Sequence, residues 1–238
     1  MRLKNWRFWI VAMVIVIAII AAFEGCGASD QSARVTTGNI ASSDAKTGKD
    51  TVKPKELITF SNVVLHTEGG VTTVNGEAKN NDNEMHSFTL KVSFYDASKK
   101  LLGTAVGAVN ELAPGDTKIF TAMATEDYSK AASYKVEVDT MVQSVKSYTR
   151  PKIEFSNIVV KGQMGVTQVD GEVKNGDSVK HSFTLVVGFY DGNGKLLGTA
   201  AGAVNDLDAG STKTFTAMSS GDYSKAANVK VQIDSMVE

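Results

Sequence analysis

Residues 58–143 and 153–238 are two copies of one sequence, aligned without a gap at a constant offset of 95 residues. Roughly 52 of 86 aligned positions are identical. "HSFTL" recurs at His86 and His181, "FYD" at Phe94 and Phe189, "KLLGTA" at Lys100 and Lys195, and "DYSKAA" at Asp127 and Asp222. The two copies therefore share one fold, and each must close its own core. A copy of this size supports a modest core without staples. With Cys26 as the only cysteine, no intrachain disulfide helps. A match this close also implies a recent duplication, so identity between the copies does not by itself mark constraint.

Within a copy the apolar period is two. Phe88, Leu90, Val92 and Phe94 share one face, while Thr89, Lys91, Ser93 and Tyr95 take the other. That pattern is a half-buried strand. Tyr134, Val136 and Val138 alternate with Lys135, Glu137 and Asp139, and Val229, Val231 and Ile233 repeat the pattern. A third strand is oriented by comparing the copies. Phe120 and Phe215 match, whereas Ile119 becomes Thr214. A swap of isoleucine for threonine predicts a solvent-facing site, with the phenylalanines inward.

Turn chemistry separates the strands. "DGNGK" at Asp191 to Lys195 accepts positive φ, and "DASKK" takes its place in the first copy. "APGD" at Ala113 to Asp116 places Pro then Gly at the centre of a type II turn. "NNDNE" at Asn80 to Glu84 is a further polar turn. Six or seven strands per copy follow, six of them near 57–66, 71–80, 86–96, 100–110, 116–125 and 133–142. The predicted class is all-β: two tandem antiparallel immunoglobulin-like β-sandwiches after an N-terminal hydrophobic helix and a flexible stalk. The cysteine and tryptophan landmarks of antibody domains are absent, since Trp6 and Trp9 both lie in the leader.

The leader occupies residues 1–26. Arg2, Lys4 and Arg7 precede 16 residues, Phe8 to Phe23, without a charge. This reads as a secretory apolar region or signal-anchor, with the rest of the chain sent outward. Cys26, in "AAFEGCGASD", resembles the lipidated cysteine of a bacterial lipobox, with Gly25 as the small residue before the cut. Glu24 and Phe23 depart from that pattern. Lipoprotein and uncleaved transmembrane anchor both remain open, and either tethers the chain to the membrane. Residues 27–55 are rich in Ser, Thr, Gly, Asp and Lys and lack apolar periodicity. They read as a disordered stalk. The first domain is then 56–143, the linker 144–150 and the second domain 151–238.

Each copy resembles the FxLYD domain, a β-sandwich module of bacterial envelope proteins. The resemblance spans "VNGEAKNND", "SFTLKVSFYD", "KKLLGTA" and "LAPGDTKIF" in the first copy, and "VDGEVKNGD", "SFTLVVGFYD", "GKLLGTA" and "LDAGSTKTF" in the second. Val92 and Val187 replace the name-giving Phe, and Phe94 and Phe189 the Leu. The resemblance implies an extracytoplasmic, non-enzymatic binding or spacer role at the cell envelope. It carries no catalytic residues.

Candidate chemistry is sparse. His86 and His181 recur but have no second histidine or cysteine at zinc spacing, while His66 aligns with Lys161. "DGNGK" opens like a calcium loop, then places Lys195 and Gly202 where ligands belong. "NNDNE" has Ser178 and Val179 at its last two positions in the second copy. No serine lies in a G-x-S-x-G elbow. "GTAVGAVN" and "GTAAGAVN" lack phosphate-loop spacing and read as small residues in a close-packed strand.

No catalytic, cofactor-binding or metal residue is assigned, and no cofactor is expected. A formal net charge of −1 gives no field to draw nucleic acid. Tyr95 and Tyr190, on the face away from the core, and Tyr128 and Tyr223, expected at a sandwich corner with hydroxyls bonded to backbone, form the candidate recognition surface. A site built from such shared residues occurs twice. The expected function is a tethered binding module for an envelope protein or polysaccharide. The alternatives are a passive envelope spacer and, last, an enzyme of unrecognised type.

Overall fold

The computed structural model describes residues 56–143 and 149–237. The leader, Cys26, the stalk and most of the linker lie outside the described residues. Twelve strands follow in chain order. The first copy holds β1 (Ile58–Glu68), β2 (Val71–Asn80), β3 (His86–Tyr95), β4 (Leu101–Leu112), β5 (Thr117–Ala124) and β6 (Ser133–Gln143). The second holds β7 (Ile153–Gln163), β8 (Val166–Asn175), β9 (His181–Tyr190), β10 (Leu196–Leu207), β11 (Thr212–Ser219) and β12 (Asn228–Val237). All pairings are antiparallel.

Each copy is one curled six-stranded sheet, ordered β1-β2-β5-β4-β3-β6 and, equivalently, β7-β8-β11-β10-β9-β12. The curl has a visible cause. β3 and β4 pair from His86↔Leu112 to Tyr95↔Leu101, but β4 and β5 share only Val106↔Met123 and Gly107↔Ala122. The two halves, β1-β2-β5 and β4-β3-β6, fold over each other at that narrow seam. Glycine is needed there, because a Cβ on Gly107 would lie 2.4 Å from the Thr121 carbonyl oxygen.

The core lies between the halves. Phe60 of β1 meets Phe88 of β3 edge-on at 6.3 Å and Phe120 of β5 at 5.5 Å. Phe88, Leu90, Val92 and Phe94 are all buried, as their alternation predicts. Phe155, Phe183 and Phe215 repeat the arrangement in the second copy. The turns also follow their chemistry. Asp116 N–H donates to Ala113 C=O across a turn with Gly115 at φ 75°. Asp191 N–H donates to Lys195 C=O, with Gly194 at φ 78°.

Tyr128 stacks on Phe94 with ring centroids 4.5 Å apart, and Tyr223 on Phe189 at 5.0 Å. Each ring lies against a glycine. A Cβ on Gly103 would come within 1.8 Å of the Tyr128 hydroxyl, and one on Gly198 within 2.2 Å of the Tyr223 ring. Gly103→Ala is therefore expected to destabilise the first copy by about 1–3 kcal/mol, the usual cost of overpacking. Denaturant unfolding of the variant checks this. The double variant Gly103→Ala/Tyr128→Ala should recover part of the loss relative to Tyr128→Ala alone.

Candidate functional site

The four sequence-selected tyrosines have different surroundings. Tyr128 is buried against Phe94, and its hydroxyl donates to the Glu126 carboxylate at 2.7 Å rather than to backbone. That hydrogen bond and burial push its phenol up from the usual value. Burial does the same at Tyr223. Thr72 holds the loop before Tyr128, accepting from Tyr128 N–H and donating to Glu126 C=O. Thr167 repeats this with Tyr223 N–H and Gly221 C=O. These two tyrosines brace their copies.

Tyr95 and Tyr190 occupy equivalent positions in unequal settings. Tyr95 is half-buried at an open face, whereas Tyr190 is 8% exposed. The outer face of β10-β9-β12 in the second copy lies on the outer face of β1-β2-β5 in the first. Tyr190 Oη donates to Glu77 at 2.8 Å, and burial together with this bond pushes the phenol far up. Thr199 and Thr121 hydroxyls both donate to the Asn75 side-chain oxygen. Gln232 brackets Ile119, accepting from its N–H and donating to its C=O, both at 3.1 Å. Lys118 Nζ donates to Asp234 C=O. Among these polar clamps, Ile119, Val186, Tyr190 and Leu196 form an apolar cluster with Val64 against it.

Local backbone builds this face. The β1–β2 register shifts between Ser61 and Val64, where Asn62 adopts φ 52°. Asn62 Nδ2 then donates to the Glu77 carboxylate at 2.8 Å and to Gly194 C=O. On the opposing side, a Cβ on Gly188 would lie 2.6 Å from Ile119 Cδ1. Ser93 stands at the equivalent position of the first copy.

Ile119 corrects the expectation of a solvent-facing site. It points away from Phe120, as the alternation requires, yet is only 1% exposed, because the second copy covers it. Thr214, its counterpart, is exposed. The same contrast marks the leucines: Leu196 is fully buried and Leu101 is 52% exposed. The signal is present in the sequence, since Lys91/Val186 and Ser93/Gly188 differ between the copies as Ile119/Thr214 does.

The histidines are tied into loops. His86 Nε2 lies 2.7 Å from Asp82 Oδ2, and His181 Nε2 lies 2.9 Å from Asp177 Oδ2. Asn80 Nδ2 donates to Glu84 C=O and Leu112 C=O, and Asn175 repeats the pattern with Val179 and Leu207. The acids of "DASKK" and "DGNGK" are likewise engaged: Asp96 Oδ1 accepts from Ser98 and from Lys100 N–H, and Asp191 Oδ1 from Asn193 and Lys195 N–H. Among the described residues no group of three or more acidic, histidine or cysteine side chains is placed to hold a metal ion.

The outer face of β7-β8-β11, which no other described strand covers, carries a shallow depression of about 380 Å³ lined by Asn157, Asp170, Glu172, Thr214 and Thr216. It is the counterpart of the surface that Tyr190 and Thr199 cover on the first copy.

Several carboxyls sit below the usual aspartate value of 3.8. The Lys152 N–H and then His181 lower Asp177; Lys161, Gln168 and Thr216 lower Asp170; serine hydroxyls lower Asp96, Asp127 and Asp222. Depressed folded values stabilise the fold above 3.8, and that stability is lost as pH falls through them. Burial raises Asp234, which acts in the opposite direction, and lowers Lys118. Asp177→Asn removes one of the lowered acids, so the variant is expected to lose less melting temperature than the wild type as pH drops below 3.8. A thermal melt series across pH checks this.

No protein-family model and no curated protein matches the chain.

Proposed function

We propose that this chain is a non-enzymatic binding module, tethered by its N-terminal segment to the outside of a bacterial membrane, that takes an envelope protein on the outer face of β4-β3-β6. The observation carrying this reading is a set of large apolar side chains left exposed on that face and at its seam with β5. Leu101 pairs with Tyr95, and Val106 pairs with Lys91 on one side and with Met123 of β5 on the other. Leu101, Val106 and Met123 are 52%, 56% and 42% exposed. Large apolar side chains exposed together on one sheet face suit an interaction site. In the second copy the equivalent face docks on strands of the other copy, and Tyr95, Leu101 and Thr104 keep the frame of that contact in the first, so a protein partner of different surface chemistry fits better than a polysaccharide. The resemblance to FxLYD domains supports an extracytoplasmic setting, and the strand pairing suits an immunoglobulin-like sandwich.

The test immobilises residues 56–238 and captures partners from envelope extract beside a Leu101→Asp/Val106→Asp variant. Capture of a protein by the wild type and its loss in the variant support the reading. Equal capture by both, or capture of polysaccharide alone, overturns it. No capture favours a passive spacer, a reading that the docking of the two copies into one body also suits. Anchoring is tested separately by the intact mass of the membrane-extracted protein. A chain starting at a lipidated Cys26 supports the lipoprotein, and a full-length N-terminus with a free thiol supports the helix anchor.

A further inference from the structure

We infer that the face-to-face contact between the copies is a directional recognition surface, and that six diverged side chains confine it to one use per chain. The contact is heterologous: the outer β1-β2-β5 face of one copy meets the outer β10-β9-β12 face of the other. Such a contact leaves one face of each type free at the two ends. Two identical copies would present the same complementary pair again, and chains could add head to tail without closure.

The free faces keep the frame of the contact. Tyr95, Leu101 and Thr104 stand where Tyr190, Leu196 and Thr199 stand in the occupied face. Asn157, Glu172 and Thr216 stand where Asn62, Glu77 and Thr121 do. Asn157 even donates to Glu172 at 2.6 Å, as Asn62 does to Glu77.

The centre of the contact is changed. Opposite each other, Ile119 and Val186 become Thr214 and Lys91. Gly188, which leaves room for Ile119, becomes Ser93, and Gly194, whose carbonyl takes Asn62, becomes Lys99, which keeps a backbone carbonyl but adds a charged side chain beside it. Gln232 becomes Glu137, whose carboxylate accepts from an N–H but has nothing to donate to the neighbouring carbonyl.

The new charges are also satisfied within their own copy. Asn75 becomes Asp170, which takes Lys161, Gln168 and Thr216. Lys91 pairs with Asp139, and Lys135 with Glu137. Docking a second molecule there would bury Lys91 over Thr214 in place of an apolar pair. Specificity of this kind comes from groups placed against the wrong partner.

The test restores the contact residues to the free faces of residues 56–238. One variant carries Lys91→Val, Ser93→Gly, Lys99→Gly and Glu137→Gln. A second carries Asp170→Asn and Thr214→Ile. A third carries all six. Sedimentation velocity should show the wild type as one chain at every concentration. The third variant should shift to multi-chain species that grow with concentration. An equimolar mixture of the first two should stop at two chains, because each then offers one restored face. Association of the wild type, or a single-chain mass for the third variant with native circular dichroism, overturns the inference. Should the third variant not fold, the reciprocal change serves: Ile119→Thr, Val186→Lys and Gly188→Ser in one chain. It should split one thermal transition into two, and an unsplit transition overturns the inference.

Discussion

Replacing Phe94 or Phe189 with alanine is expected to destabilise the copy that holds it by about 3–5 kcal/mol, the range for burial of a whole phenylalanine. Both rings are fully buried, and each also forms a stack with the corner tyrosine, Tyr128 or Tyr223. The loss therefore has two parts. The first is the apolar area and the cavity left behind; the second is the support that holds the tyrosine over Gly103 or Gly198. The second part predicts a local consequence. The loops after Ala124 and Ser219 should exchange their amide protons faster in the variants, because Tyr128 and Tyr223 close them. A melting temperature equal to wild type in either variant would show that the inward face has been misassigned.

The alternation in "SFTLKVSFYD" made the inward face legible, and the structure places β3 at His86–Tyr95 against an expected 86–96. The other five strands of the first copy fall within two residues of their expected bounds. Periodicity succeeds here because each strand buries one face on its own copy's core. It fails at Ile119 for a related reason. Alternation tells which side of a sheet a residue occupies, but not what lies against that side. Tyr190 illustrates the same point: its position away from the core is correct, and its cover comes from Glu77 of the other copy, 113 residues away in sequence. Contacts between folded units leave no local period. The comparison of the copies did hold the information, since positions 91 and 186, 93 and 188, and 119 and 214 differ together where the two copies meet.

Ile119→Ala is expected to cost about 2–5 kcal/mol, the range for truncating a buried isoleucine. The lower end applies, because two docked copies can shift to close a gap more readily than strands of one sheet. Thr214→Ala, at the equivalent exposed position, is expected to stay within about 0.5 kcal/mol of wild type. The pair is a strong test because sequence context, strand and neighbours are almost the same. Only the cover differs. The loss at Ile119 should also reach across the contact. Gln232 holds both the N–H and the C=O of Ile119, so the Ile119 amide should exchange faster, and Tyr190 fluorescence should respond to loss of its buried setting. Equal and small effects at 119 and 214 would mean that the copies do not dock in solution. A large effect at 119 confined to the first copy would mean that Ile119 serves only its own sheet. A large effect felt in both copies is the outcome the geometry requires, because Ile119, Val186, Tyr190 and Leu196 form one cluster built from two copies of the repeat.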